Sequence, residues 1–375
     1  MKKVLFVASV IGHIKAFHLP YLEMFKQKGY EVHVAAYSDN DEENIPYCDK
    51  FYNIKFNRSP FRLATIYAYK QLKRIVKTDQ YDIIHCHTPV ASVLTRFAAR
   101  NCKNTTLIYT AHGFHFFKGA PLINWMLYYP VERYCARYTD KLITINKEDY
   151  DRAKELTLRK SGESYYIPGV GLDLEKINAI NIDREAKRKE LGIPINAFLI
   201  VSVGELNKNK NHKVIIEALF NINNPQIHYV ICGQGVLKDY LKDLIKKHGL
   251  ENQVHLLGYR KDIIEINKCA DLFAFPSRRE GLGLAALEAM ACGLPIVTSN
   301  VHGIIDYSQD GITGYNCNPN SVKEFKIALD NIFKEKTKRN EMGSYNIDYV
   351  RRYDLQNVKL LLQEIYSKPK KKVPI

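Results

Sequence analysis

The stretch Ser277-Arg278-Arg279-Glu280-Gly281-Leu282-Gly283-Leu284-Ala285-Ala286-Leu287-Glu288-Ala289-Met290-Ala291-Cys292-Gly293-Leu294-Pro295 decides the fold. It follows Ala270-Asp271-Leu272-Phe273-Ala274-Phe275, an apolar run that reads as a buried strand closed by Pro276. Two glycines then turn the chain into an alanine- and leucine-rich helix that stops at Gly293-Leu294-Pro295. A strand, a glycine turn and a helix start leave unpaired backbone N–H groups at the positive end of a helix dipole, which is an anion site. Glu280 stands at its mouth, and a helix starting near Gly281 puts Glu288 about two turns in. A carboxylate beside a phosphate site repels phosphate, so each Glu faces hydroxyls on the groups at either end. The ligand implied is a sugar, a diphosphate and a ribose: a nucleotide sugar. The alternative is a solvated Glu280 and a helix-surface Glu288, which the companion motifs weigh against.

With 375 residues the chain calls for two domains. Strand and helix signals alternate through the first half: Lys3–Ser9, a helix over Phe17–Lys28, Glu31–Ala36, Ile83–Cys86, a helix over Ala91–Arg100, Thr106–Thr110, a helix near Asn124–Tyr138, and Lys141–Ile145. The pattern restarts after Ile167-Pro168-Gly169-Val170-Gly171, with strands at Phe198–Val203, His228–Cys232, Val254–Leu257, Leu272–Phe275 and Pro295–Thr298, and helices over Lys213–Leu219 and Lys238–His248. Such alternation implies βαβ units in parallel sheets buried on both faces. The expectation is an α/β chain with two Rossmann-like doubly wound domains, 1–170 and 171–354. Loops after strand C-termini carry ligands in such sheets, so the expected site is a cleft faced by both domains.

The 46% hydrophobic and 25% charged composition is that of a soluble globular protein. The eight cysteines contain no Cys-x-x-Cys pair and sit mostly in apolar runs, as reduced core residues of a cytoplasmic protein do. The basic head and apolar run Met1–Ile11 are cut short by Gly12-His13-Ile14-Lys15 with no small-x-small cleavage site after them, so a first strand is the better reading than a signal peptide. No apolar stretch reaches the roughly 18 residues that span a bilayer. Of the net charge of +15, residues 1–170 hold 25 Lys/Arg against 16 Asp/Glu. No nucleic-acid motif accompanies it, which leaves an anionic membrane surface, and no nucleic-acid partner is expected. Ser59–Lys77 is basic and amphipathic, fitting either an interfacial helix or one with its apolar face on the sheet. The tail Lys368-Pro369-Lys370-Lys371-Lys372 reads as disordered and able to add surface attraction.

The Glu280-x7-Glu288 pattern resembles the family 4 retaining glycosyltransferases of the GT-B fold, over nearly the whole chain and most strongly between Gly204 and Gly314. The resemblance implies that Glu280 contacts the donor sugar, the amides of Gly281, Leu282, Gly283 and Leu284 hold the diphosphate, and Glu288 holds the ribose. It also implies that the last helix, within 355–375, packs back on the N-terminal domain. In Val203-Gly204-Glu205-Leu206-Asn207-Lys208-Asn209-Lys210, Lys210 matches a diphosphate-binding Lys, whereas Glu205 stands where the family usually has Arg. Lys208 either compensates or is a solvated loop lysine. Gly12 matches a loop that faces the donor diphosphate, and Gly233 and Gly235 resemble the turn near the nucleotide. Gly258 and Tyr259 lie by the base, and His112, in Ala111-His112-Gly113, resembles the family's His near the transferred sugar. His13, Lys15 and His18 fall near the acceptor side, and Ser9–Pro20 looks like the capsule and exopolysaccharide branch.

His85, His87, His112 and His115 were weighed as metal ligands, but no acidic partner pattern follows and the resembled fold needs no metal, so neither a metal nor a cofactor is expected. Phe114–Phe117 and Trp125–Tyr129 are strongly aromatic, which fits core packing or an interfacial, lipid-linked acceptor groove. The expected activity is retaining transfer of a sugar from a nucleotide donor, most simply a UDP-sugar, to a saccharide on a polyprenyl diphosphate. It would run in the cytoplasm at the inner face of the cell membrane. The alternatives are a UDP-sugar 2-epimerase of the same fold and a non-catalytic basic protein binding membrane or nucleic acid. A dehydrogenase ranks below these, because no strand leads into Gly-x-Gly-x-x-Gly.

Overall fold

The computed structural model describes residues 1–40, 44–56 and 63–368. Residues 1–170, with the C-terminal segment from Val358, form one compact unit, and Gly171–Asn357 form a second. The first unit is built on β1 (Lys3–Val10), β2 (Glu31–Tyr37), β3 (Lys50–Asn53), β4 (Ile83–His87), β5 (Thr106–Ala111), β6 (Lys141–Thr144) and β7 (Glu163–Tyr166). These pair in the order β3-β2-β1-β4-β5-β6-β7, every pairing parallel. The second unit holds β8 (Phe198–Val203), β9 (Ile227–Cys232), β10 (Val254–Gly258), β11 (Leu272–Phe275), β12 (Ile296–Ser299) and β13 (Gly314–Cys317). Their order is β10-β9-β8-β11-β12-β13, again all parallel. Central strands are buried on both faces, as β4, β9 and β11 are along their whole length, because helices cover each side of a parallel sheet.

Short strands at or near the sheet edges and a helix break depart from the sequence expectation. β3, β7 and β13 were not foreseen. The helix expected over Phe17–Lys28 runs Leu19–Gln27, and an unforeseen helix, Ile11–Phe17, precedes it with the break at His18. Pro20 is the cause: without an N–H it fits only the first turn of a helix, so a new helix starts there. The final helix, Leu355–Ser367, starts in the second unit and ends in the first. There Tyr366 Oη lies 2.7 Å from His85 Nδ1, and Lys141 Nζ donates to the carbonyls of Ile365 and Lys368. His85 Nε2 meets Thr110 Oγ1 at 2.8 Å, so both ring nitrogens are engaged and His85 is a structural residue. The tail beyond Lys368 and the start of the basic segment, residues 59–62, lie outside the described residues.

The helix Leu63–Asp79 turns Ala68, Leu72 and Val76 into the core, so its apolar face is used in packing. The opposite holds for the helix Leu122–Ala136. Trp125 and Tyr129 pack against the core, while Leu122, Ile123, Met126, Leu127 and Val131 are exposed. Its rotation is set by Glu132, which is buried and forms a two-pronged ion pair with the fully buried Arg96. Arg96 also lies 4.2 Å over the Tyr109 ring. Removing one partner of a buried pair strands the other charge. Glu132→Ala is expected to lower stability by about 3–5 kcal/mol in urea unfolding, and Arg96→Met combined with Glu132→Leu to recover most of that loss.

Candidate active site

In the second unit the strand order reverses between β8 and β11, which are neighbours although β9 and β10 lie between them in sequence. Chains leaving two such strands diverge, and the gap at their C-terminal ends is where open α/β sheets bind ligands. The loop after β8 carries Gly204, Glu205, Lys208 and Lys210, and the loop after β11 carries Glu280–Gly283.

Three asparagines fix these loops, Asn207 within the first and Asn209 and Asn211 across to the second. The Asn207 side chain accepts from the Lys210 N–H at 2.9 Å. Asn209 Nδ2 donates to the Arg279 carbonyl at 2.9 Å, and its own carbonyl accepts from the Arg278 N–H at 2.8 Å. Asn211, in the left-handed region at φ 55°, donates to the Pro276 carbonyl at 3.1 Å. Lys210 Nζ then sits 2.5 Å from Glu280 Oε1 and 4.8 Å from the centre of the Phe275 ring. The residues singled out for diphosphate and sugar therefore touch each other. The asparagines and Phe275 were not anticipated, although Asn at every second position of 207–211 is a signal for a loop bonded to its own backbone.

Glycine is required at two points. A Cβ on Gly233 would fall 1.9 Å from the Gly204 carbonyl oxygen, so the ends of β8 and β9 approach as bare backbone. Gly283 has φ 92°, and a Cβ there would lie 2.4 Å from Phe275 Cε1. This left-handed residue delays the helix, which runs Leu284–Ala291 instead of starting near Gly281. Glu288 is consequently about one turn in, not two. It is half-buried, its carboxylate takes no hydrogen bond or ion pair among the described residues, and burial raises its pKa. Leu282 is buried, whereas Gly281 and Leu284 are part-exposed.

Glu205 is exposed and accepts from Asn207 Nδ2 at 2.9 Å, and Lys208 is exposed as well. A further cation overlooked in the sequence, Arg278, stands beside the same loop with Nη2 3.3 Å from Asn211 Oδ1. Gly258 ends β10 and accepts from the Gly233 N–H at 2.7 Å; Tyr259 beyond it is 69% exposed.

In the first unit the reversal falls between β1 and β4. Gly12 lies in the short helix after β1, where a Cβ would meet nothing within 4 Å, so packing does not demand glycine there. His112, just past β5, has Nε2 3.3 Å from His13 Nε2 and 3.3 Å from His87 Nδ1. Burial holds the pKa of His112 well below the usual imidazole range, so it is neutral at physiological pH. His115 stacks instead against Tyr128, with ring centres 4.5 Å apart.

The chain matches known protein families along most of its length. Residues 183–349 match the family described as glycosyl transferases group 1, and residues 3–146 match the glycosyl transferase 4-like family. EpsD of Bacillus subtilis, named as a glycosyltransferase, is 44% identical over 319 residues, covering 84% of this chain and 83% of that protein. The UDP-Gal:α-D-GlcNAc-diphosphoundecaprenol α-1,3-galactosyltransferase of Escherichia coli is 34% identical, covering 71% and 70%. Anabaena HepE in complex with UDP superposes with a TM-score of 0.77 at 21% identity, covering 98% of this chain and 100% of that one. The chain is a family 4 glycosyltransferase of the GT-B fold. The non-catalytic reading of its basic charge is thereby overturned.

In this glycosyltransferase the unpartnered Glu288 supplies a test of its own. Because its folded pKa lies above the ordinary value of 4.5, the ionised form is disfavoured in the fold, a penalty absent below pH 4.5 and present above the raised value. Glu288→Gln is expected to raise the unfolding midpoint at pH 7 by about 1–3 °C, with the gain vanishing as pH falls toward 4, while nucleotide-donor affinity drops. A midpoint lowered at pH 7 would show the carboxylate to be structurally engaged.

Proposed function

We propose that this glycosyltransferase moves a sugar from a uridine diphosphate donor, with retention of anomeric configuration, to a saccharide carried on a polyprenyl diphosphate. The Lys210–Glu280 contact, beside the glycine-turned start of the Leu284–Ala291 helix, carries the reading. An ammonium, backbone N–H groups and a helix dipole in one place suit a diphosphate, and the two glutamates suit hydroxyls. Lys210 and the 281–284 amides would stabilise negative charge as the diphosphate departs, the electrostatic contribution that usually dominates. Glu280 orients the sugar, Glu288 the ribose, and neutral His112 the sugar hydroxyls. No metal and no cofactor take part in this scheme. The acceptor hydroxyl loses its proton to the leaving diphosphate on the face the diphosphate vacates.

Support for the lipid-linked acceptor comes from the Leu122–Ala136 helix, whose exposed Leu122, Met126 and Leu127 sit with the exposed Lys118, Arg133 and Arg137. Apolar side chains among cations are what an anionic membrane surface takes up, and no helix among the described residues is long and apolar enough to cross a membrane. The Escherichia coli relative is named for a diphosphoundecaprenol acceptor, which is the same chemistry.

Two measurements check this. Lys210→Ala is expected to cut turnover at least 100-fold with a smaller change in KM, because the charge it opposes grows in the transition state; near-normal turnover would move the role to Lys208 or Arg278. In flotation with vesicles of anionic phospholipid, the protein should rise with the lipid at low salt. Leu122→Ser combined with Met126→Ser and Leu127→Ser should abolish that while leaving turnover on a water-soluble acceptor intact.

A further inference from the structure

The reversal between β1 and β4 gathers four histidines, of which the proposed transfer uses only His112. His13 follows β1 on the Ile11–Phe17 helix, His18 ends that helix, His87 closes β4, and His112 follows β5. One ring nitrogen from each lies within 4.8 Å of the others. His18 and His87 stack with ring centres 3.8 Å apart, and His87 stacks on Phe6. Both are almost wholly buried, yet the Nε2 atoms of His18 and His87 meet no hydrogen-bonding partner among the described residues. A neutral imidazole has one N–H and one lone pair, so a buried Nε2 without a partner leaves one of these unused at a cost.

Two of the nitrogen spacings are those of a coordination shell, and the whole set lies within 4.8 Å. Zinc–nitrogen bonds of about 2.0–2.1 Å in a tetrahedron separate the nitrogens by about 3.3–3.4 Å. His13 Nε2 lies 3.3 Å from His112 Nε2, and His87 presents Nδ1 to the same atom at 3.3 Å, so His87 would ligate through Nδ1. Burial also lowers the pKa of His13 to about 4 and holds the other three well below the imidazole range, so the lone pairs are free of protons at neutral pH. A neutral cluster attracts a cation, not a phosphate. The set is all nitrogen and holds no carboxylate, which suits zinc, nickel or copper and disfavours magnesium and calcium. His13 and His112 are part-exposed and give an ion its way in.

We propose that His13, His18, His87 and His112 bind a borderline transition-metal cation such as Zn²⁺, and that the bound ion inhibits sugar transfer. The inhibition follows if His112 contacts the sugar as proposed above, since a ring nitrogen given to the metal is withdrawn from the hydroxyls. The metal site itself does not depend on that reading.

Binding and inhibition are tested separately on the full-length, chelator-treated protein. Titration with Zn²⁺ should show one saturable site per chain, and Co²⁺ should give the intense visible absorption of tetrahedral coordination. His13→Ala and His87→Ala should each weaken Zn²⁺ at least 10-fold, with folding checked by circular dichroism, whereas His115→Ala should bind as wild type. Equal binding by wild type and His13→Ala, or a weak octahedral cobalt spectrum, would overturn the site; part-exposed His13 keeps the test open should the buried variants misfold. In the transfer assay, Zn²⁺ should suppress turnover in step with occupancy and excess chelator should restore it. Full occupancy with unchanged turnover would overturn the inhibition and leave the site standing. Absence of turnover in metal-free protein would instead count against the proposed donor or acceptor.

Discussion

The reversal of strand order in each sheet is the constraint on which the rest depends. When β8 is followed outward on one side by β9 and β10 and on the other by β11, β12 and β13, the loops after β8 and β11 are forced apart at their start. That gap has no side chains of its own to fill it. What the sequence places there is therefore free to serve a ligand: Lys210 from one loop and Glu280 from the other, meeting at 2.5 Å. The same reversal between β1 and β4 brings His13 and His87 together in the first unit. One topological rule, used twice, yields one charged site and one neutral, nitrogen-rich one.

Bare backbone makes the charged site workable. The contact of Gly233 with the Gly204 carbonyl lets the ends of β8 and β9 close up, and the left-handed Gly283 lets the Phe275 ring pass beneath the helix start. Phe275 then lies under the Lys210 ammonium, an arrangement worth about 0.5–2 kcal/mol that also holds the long side chain in place. The aromatic ring thus links the strand that reads most plainly in the sequence to the cation expected to meet the phosphates.

How far the sequence could be read follows from where each signal lay. β11 was legible because Leu272–Phe275 is apolar throughout and stopped by Pro276. β3, β7 and β13 were not, because outer strands of four residues with half-exposed polar positions carry neither a long apolar run nor a clean alternation. Gly314 begins β13 at φ 152° with its backbone against Ile296, a contact visible only once β12 and β13 are paired. Lys210, Glu280 and Glu288 were readable because each sits in a short motif beside a strand. The histidine cluster was half readable: His87 and His112 stand out as histidines at strand ends, and His85, two residues before His87 on β4, shares its face with ring centres 4.1 Å apart. Yet its members span positions 13 to 112, and only the pairing of β1 with β4 assembles them.

The Arg96–Glu132 pair shows why an exposed apolar face need not be an accident. A buried ion pair is a poor source of stability, since desolvating both charges offsets most of their attraction. Hydrophobic side chains at 96 and 132 would fill the same space at less cost. What the pair does supply is orientation: the guanidinium meets the carboxylate through two nitrogens, which fixes the rotation of the Leu122–Ala136 helix about its axis. Turned by half a revolution, the helix would carry Ile123 and Leu127 inward and Glu132 outward, but it would also expose Trp125 and Tyr129, so ring packing and the ion pair hold the same rotation. The native rotation leaves Ile123, Met126, Leu127 and Val131 outward, on the side that neither the core rings nor the ion pair use. An apolar surface held outward by fixed contacts on the opposite face is the arrangement expected where that surface has a use outside the protein.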